Sequence, residues 1–263
     1  MDQVWEDKPA NYAKASAMLD MASPMPGSMV VLPEMFPTGY SNNLAVTAKD
    51  EPFLTDTFLG NLAKNYKCWI LSGSVRGETK EMGENIAVTF NPEGKRISSF
   101  TKLHPVKYYG EDKSYAPGTA VQTFKCNDFS VSPFICYDLR FPEVFRIAAF
   151  QGATLIVVIA NWPAIRIDHW EILLRARAIE NQAFVVGVNR CGKDPNLEYP
   201  GRSLILDQQG RFLAEANDSE CVISADLDLN ALNDWRDHFP ALDDARLQFL
   251  PNNLLNPETT FDL

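Results

Sequence analysis

Apolar positions along this chain fall into two rhythms. Short unbroken apolar runs in "SMVVLPEMF" (28–36), "CWILSGSV" (68–75), "TLIVVIANW" (154–162) and "AFVVGVNR" (183–190) predict buried strands, the first running into a loop. Between them lie segments with helical character. "PANYAKASAMLDMA" (9–22) is rich in Ala with a Pro at its start, and "PFLTDTFLGNLAKNY" (52–66) repeats apolar residues at helical spacing. Further helices are expected over 142–151 and about 166–181. "NIAVTF" and "KRISSFTK", joined by "NPEG", predict a hairpin over 85–102. Two strands are expected around "KCND" within 120–135, two more flanking "DQQGR" (207–211), and another in "CVISADLD" (221–228). Residues 104–118 read as a polar and aromatic loop, and 240–263, rich in Pro and Asn, as an irregular tail.

Helices thus alternate with buried strands twice, and each pair is followed by hairpin-like strands. That order predicts an α/β fold of two sheets between helical layers, with functional loops at the strand ends. No linker, repeat or low-complexity segment interrupts it, so 1–263 is expected to be a single domain. The composition, 46% hydrophobic and 22% charged, is that of an ordinary globular protein. A net charge of −10 argues against a nucleic-acid or anionic-membrane surface, both of which need clustered Lys and Arg. No apolar stretch approaches the ~18 residues of a membrane span, and "MDQVWEDKPAN" carries no signal-peptide pattern. Five cysteines, at 68, 126, 136, 191 and 221, form no C-x-x-C pair, which fits neither a disulfide framework nor a zinc knuckle. A soluble, reduced, cytoplasmic protein is expected, and neither metal nor cofactor is implied.

Three titratable residues follow apolar runs directly: Glu34 in "VVLPEMF", Lys102 in "SSFTKLH" and Cys136 in "PFICYDLR". Strand exits are where α/β proteins assemble sites from distant parts of the chain. Taken singly, such a cysteine is more often a small buried hydrophobe, and such a Glu or Lys a solvated terminus. Together they form a workable machine. A thiol of ordinary pKa about 8.5 needs a base to become a nucleophile, and a partly buried Glu34 would take its proton. Lys102 and the backbone N–H of Tyr137 would then stabilise the oxyanion of a tetrahedral intermediate. That is acyl transfer from an amide or nitrile carbon through a thioester.

The segments "LPEMFPTGY", "TKLHPV" and "ICYDLRFPEVFR" resemble the three signature blocks of the nitrilase (carbon–nitrogen hydrolase) superfamily, and the resemblance runs through nearly the whole chain. It implies a four-layer αββα sandwich, a homodimer formed through the sandwich face, and a triad of Glu34 as base, Lys102 as oxyanion donor and Cys136 as nucleophile. It also implies that Glu111, in "YYGEDKSYAPG", orients the lysine. "CYDLRFPE" and "NWPAIRIDHW" are most similar to the ω-amidase branch, which hydrolyses the terminal amide of short dicarboxylic monoamides such as 2-oxoglutaramate and 2-oxosuccinamate. A small-molecule amide with a free carboxylate would then meet Arg166 beside Asn161 and Trp162, although Arg166 also reads as a surface arginine and Trp162 as core. Arg140 and Glu143 are expected to form a structural ion pair behind the nucleophile. Alternatives are a nitrilase or other small-amide hydrolase, a Cys–His hydrolase using His104 or His169, and a non-catalytic binding protein on the same fold. Family members usually open with a buried strand ahead of "WED". Here only four residues precede it, so the sheet beside residues 2–4 is expected to be short or exposed at one end.

Overall fold

The structure, a computed structural model, describes residues 1–49, 54–77 and 82–246. Its elements are α1 (Lys8–Ala22), β1 (Met29–Val31), α2 (Leu44–Thr47), α3 (Leu54–Tyr66), β2 (Trp69–Arg76), β3 (Glu84–Phe90), β4 (Arg96–Thr101), β5 (Phe124–Cys126) and β6 (Phe129–Ile135). They continue with α4 (Pro142–Phe150), β7 (Leu155–Ala160), α5 (Ile167–Asn181), β8 (Phe184–Asn189), β9 (Cys191–Lys193), β10 (Glu198–Pro200), β11 (Leu204–Leu206), β12 (Phe212–Glu215) and α6 (Leu229–His238).

One sheet has the order β1-β2-β3-β4, the other β12-β11-β8-β7-β6-β5, and β9 and β10 form a separate hairpin. In the larger sheet β6, β7 and β8 are parallel, with α4 and α5 as the crossovers. A parallel centre is covered on both faces, which is why β7 is buried at every position and reads as one apolar run. In the smaller sheet, successive residues face different cores. Ile70, Ile86, Val88 and Phe90 pack with Tyr12, Ala15 and Leu19 of α1 and Leu59, Leu62 and Ala63 of α3. Their neighbours Leu71 and Ala87 join Phe100 in the core shared with the larger sheet, where the Phe100 and Phe134 rings lie 5.7 Å apart. Phe145 and Ala148 of α4 and Trp170, Leu174 and Ala178 of α5 cover the other side. The four layers are helix, sheet, sheet, helix.

Several expectations change. Within 28–36 only Met29–Val31 is a strand, because the chain turns into the site at Pro33; the start of the helix expected over 52–66 lies outside the described residues. Residues 221–228 form no strand. From 222 to 228 they alternate exposed and half-buried as a strand would, but no ladder partner lies beside them among the described residues. Among the described residues β1 is an edge strand paired to β2, and Asp2 makes a single parallel bridge to Cys191, at the start of the separate β9–β10 hairpin. Helix α6 was not foreseen. Its cap could have signalled it, since the Asp228 side chain accepts from the N–H groups of Asn230 and Ala231. Of the tail expected over 240–263, residues 240–246 carry turns and the rest lie outside the described residues. No helix among the described residues is long and apolar enough to cross a membrane.

Candidate active site

Three strand exits deliver the three residues to one place. After β1 the chain keeps a ladder with β2, Leu32 N–H donating to Leu71 O and Gly73 N–H to Pro33 O, which brings Glu34 across the sheet. Gly73 makes this passage possible. A Cβ there would lie 2.4 Å from Met35 N and 2.5 Å from Glu34 Cα, inside any tolerable contact. Lys102 follows β4 directly, its N–H donating to Asn85 O and its carbonyl accepting from Gly118. Cys136 opens the helical turn after β6 at φ +46°, a left-handed conformation that few non-glycine residues adopt. A turn so sharp halts the strand and lifts the thiol out of the sheet.

Glu34, Lys102 and Glu111 are fully buried and joined. Lys102 Nζ donates to Glu34 Oε1 at 2.9 Å and to both carboxylate oxygens of Glu111, each at 2.9 Å. Asn85 Nδ2 donates to Glu34 Oε1 at 2.8 Å and to Glu111 Oε1 at 3.0 Å, tying the two carboxylates together. Asn161 N–H donates to Glu34 Oε2 at 2.8 Å, and Val106 N–H to Glu111 Oε2 at 2.7 Å. Asn85 was missed from the sequence. Its only signal was a polar side chain at a buried position in an apolar strand.

Burial works against ionised Glu34, but the Lys102 ammonium and hydrogen bonds from Lys102, Asn85 and Asn161 outweigh it, holding the carboxyl below its ordinary pKa. Burial likewise opposes the Lys102 charge, and Glu111 and Glu34 reverse this, holding the ammonium well above its usual value. Burial first, and the Glu34 carboxylate second, push the Cys136 thiol well above the ordinary cysteine value despite Lys102. The resting state is therefore carboxylate, ammonium and neutral thiol. A carboxylate able to accept a proton therefore stands in the same buried cluster as a neutral thiol.

Cys136, Tyr137, Asn161, Trp162 and Arg166 all line one cavity of about 360 Å³, together with Lys102. Glu111 stands behind it, bonded to the lysine. Trp162 is both core and wall: it is buried, and its Nε1–H donates to Arg166 O at 2.7 Å. Arg166 closes the short turn before α5 and donates to the Tyr109 hydroxyl. Arg140 corrects an expectation. It forms no ion pair with Glu143 among the described residues, but lies in the cavity wall with its Cζ 4.7 Å from the Trp162 ring, near His169. Burial and the Arg166 charge lower its pKa, which marks two guanidinium groups facing one space. Neither has a carboxylate partner among the described residues.

Neither histidine proposed as a base bonds the thiol. His104 Nδ1 shares a 2.8 Å hydrogen bond with buried Asp138, its ring stacked on Phe141, and His169 contacts Arg140. The only hydrogen bond of Cys136 Sγ within the described residues is a long one of 3.9 Å to Asn161 O. Among the described residues no group of three or more His, Cys, Asp or Glu side chains is placed to hold a metal ion.

Comparison with known proteins identifies the family. The carbon-nitrogen hydrolase family model matches residues 1–237. The chain is 37% identical to an omega-amidase of Yersinia enterocolitica over 92% of this chain and 93% of that one. It is 35% identical to the 2-oxoglutaramate amidase of Bacillus subtilis over 90% of this chain and 91% of the other. A crystal structure from Xanthomonas campestris, a CN-hydrolase superfamily protein with an arsenic adduct in its active site, superposes with a TM-score of 0.86 at 31% identity, covering 93% and 94% of the two chains.

Proposed function

This chain belongs to the carbon–nitrogen hydrolase family and is a hydrolase of carbon–nitrogen bonds other than peptide bonds, and we propose that its substrates are short dicarboxylic monoamides. Cys136 Sγ attacks the terminal amide carbon while its proton passes to Glu34. Lys102 and the Tyr137 N–H stabilise the oxyanion, with Glu111 holding the lysine in place. Glu34 returns the proton to the leaving nitrogen, ammonia departs, and a thioester remains. Water then attacks the thioester, giving its proton to Glu34, which restores the thiol as the acid leaves.

The observation that carries the substrate class is the pair Arg140 and Arg166. Two guanidinium groups in the nucleophile's cavity, without a carboxylate partner among the described residues, suit a substrate that brings one. The similarity to an omega-amidase and a 2-oxoglutaramate amidase supports the same class. The test is ammonia release from 2-oxoglutaramate and from neutral amides of similar length. Arg166→Ala should raise KM for the acid about 10- to 100-fold, the worth of a charge-assisted hydrogen bond, and leave the neutral amides nearly unchanged. Equal losses on both would make Arg166 structural and remove the substrate assignment.

Assembly as a homodimer belongs to the same reading. Ile165, Ile172 and Ile179, seven residues apart, are exposed on and just before α5, while Trp170, Leu174 and Ala178 face the core. Phe212 and Leu213 of β12 are exposed as well. An apolar stripe on the outer helical layer suits a second copy of the chain.

A further inference from the structure

Glu34 and Glu111 share one ammonium, yet a single carboxylate serves as base in the proposed reaction. Their hydrogen bonds tell them apart. A carboxylate offers about four lone-pair sites. Those of Glu111 are all answered: Lys102 Nζ and Asn85 Nδ2 donate to Oε1, and Lys102 Nζ and Val106 N–H to Oε2. Glu34 Oε1 is likewise taken, by Lys102 Nζ at 2.9 Å and Asn85 Nδ2 at 2.8 Å. Oε2 has one full donor, Asn161 N–H at 2.8 Å, and a weak second, Asn161 Nδ2 at 3.4 Å, which already serves Glu34 O at 2.8 Å. The thiol stands on this side of the carboxylate, because its own long contact is to Asn161 O.

Asn85 is the residue that closes Oε1 and completes Glu111. It lies on β3 opposite Val75 of β2, buried, and its backbone carbonyl accepts from Lys102 N–H. One residue thus holds the lysine by its main chain and both carboxylates by its side chain. Nδ2 donates to one oxygen of each carboxylate, while Oδ1 has no hydrogen-bond partner among the described residues. A buried acceptor left unpaired costs stability, so the amide is placed for the carboxylates rather than for its own pairing.

We infer that Asn85 is a positioning residue for the base: by occupying Glu34 Oε1 and saturating Glu111, it leaves Glu34 Oε2 as the atom that takes the Cys136 proton. The inference rests on the proposed function and deepens it. As Sγ bonds the amide carbon, the S–H bond breaks and the proton goes to Oε2, and from there to the leaving nitrogen. Asn85 does not line the cavity, so its loss should act on kcat and leave KM nearly unchanged. Against burial, and after Lys102, its hydrogen bond also helps to hold Glu34 below the ordinary carboxylate pKa. The titratable groups facing Glu34 are Lys102, Glu111, Cys136, Tyr40, Tyr115 and Tyr199, and replacing Asn85 removes none of them.

The experiment measures kcat and KM across pH for 2-oxoglutaramate and butyramide, in the wild type, Asn85→Ala and Asn85→Asp. Asn85→Ala is expected to lower kcat about 10- to 100-fold on both amides, with KM within about threefold. The rising limb of kcat/KM should move up by about one to two pH units, the worth of a hydrogen bond to a charged group. Asn85→Asp keeps the shape, removes both N–H donors and adds a third carboxyl, so kcat and the limb should move the same way. It decides the question if the alanine protein does not fold. Wild-type kcat in either variant would overturn the inference. So would a lower kcat with the rising limb unmoved, or a loss confined to KM, either of which would make Asn85 a packing residue. If butyramide proved as good a substrate as 2-oxoglutaramate, the dicarboxylic class would fall, while the kcat loss on both still decided this point. Failure of the wild type to cleave any amide would remove both.

Discussion

Cys136 itself, at φ +46°, and Met35, next to Glu34, at +43°, hold conformations that L-residues seldom adopt. Strain of this kind persists where surrounding bonds over-determine it. Cys136→Ala should abolish ammonia release with little change in melting temperature, because the thiol's hydrogen bond, 3.9 Å to Asn161 O, is a weak one. Glu34→Gln and Lys102→Met should each cost several orders of magnitude in kcat, as members of one unit do. Gly73→Ala is expected to cost nearly as much, because a Cβ 2.5 Å from Glu34 Cα must push the base out of place. The pH profile follows from the shifted groups. Glu34 serves as base only when ionised, and its lowered pKa puts the rising limb of kcat/KM below the usual glutamate value of about 4.3. Cys136 must arrive protonated, and its raised pKa moves the falling limb above the ordinary thiol value of about 8.5. A flat profile is therefore expected between about pH 5.5 and 8.5 by initial-rate measurement, whereas a histidine base would bring a limb near 6.5. The Glu34 shift also stabilises the fold, fully above its unfolded pKa and progressively less as pH falls through the folded one.

The helical turn carrying Cys136 is bound to the loop after β4 by one buried carboxylate. Asp138 Oδ2 accepts from Ile135 N–H at 3.1 Å, and Oδ1 from His104 N–H at 2.9 Å and from the His104 ring at 2.8 Å. Lys102 and Cys136 thus share a brace two residues beyond each. Asp138→Ala would leave two backbone donors buried without partners, a cost of about 2–4 kcal/mol that thermal unfolding would register. Activity should fall with it. His104→Gln and His169→Gln should keep kcat within about tenfold of wild type, since neither ring bonds the thiol; a loss of several orders would revive a histidine base.

At the scale of the molecule, α5 and the turn before it present Ile165, Ile172 and Ile179 to solvent. If this face joins two copies, Ile172→Lys should shift the sedimentation coefficient from dimer to monomer, because a lysine buried opposite its own symmetry mate is unpaired. An unchanged coefficient would place the interface elsewhere. Glu34, Lys102 and Cys136 come from widely separated parts of the chain, so no fragment of it would hold the cavity. Loss of the cavity should therefore accompany global unfolding, visible as coincident loss of activity and near-ultraviolet dichroism.

Periodicity alone determined most of the elements, because β6, β7 and β8 are buried on both faces and α3 to α5 carry an apolar side toward a sheet. The strand exits then pointed to Glu34, Lys102 and Cys136, since a titratable side chain directly after an apolar run is conspicuous in one dimension. Residues 221–228 show the limit of such reading: they have a strand's alternation, but a strand exists only where a second backbone answers its N–H and C=O groups. Arg140 shows the same limit for side chains. Its neighbour in sequence, Glu143, suggested an ion pair, while the sharp turn at Cys136 carries its guanidinium into the cavity beside Arg166, whose position depends on a different strand. Asn85 and Tyr40 carried no local signal, since a polar residue in a strand or an aromatic in a loop is ordinary by itself. Only the packing of two sheets decided that Asn85 joins two carboxylates and that Tyr40 lines the same cavity as Cys136.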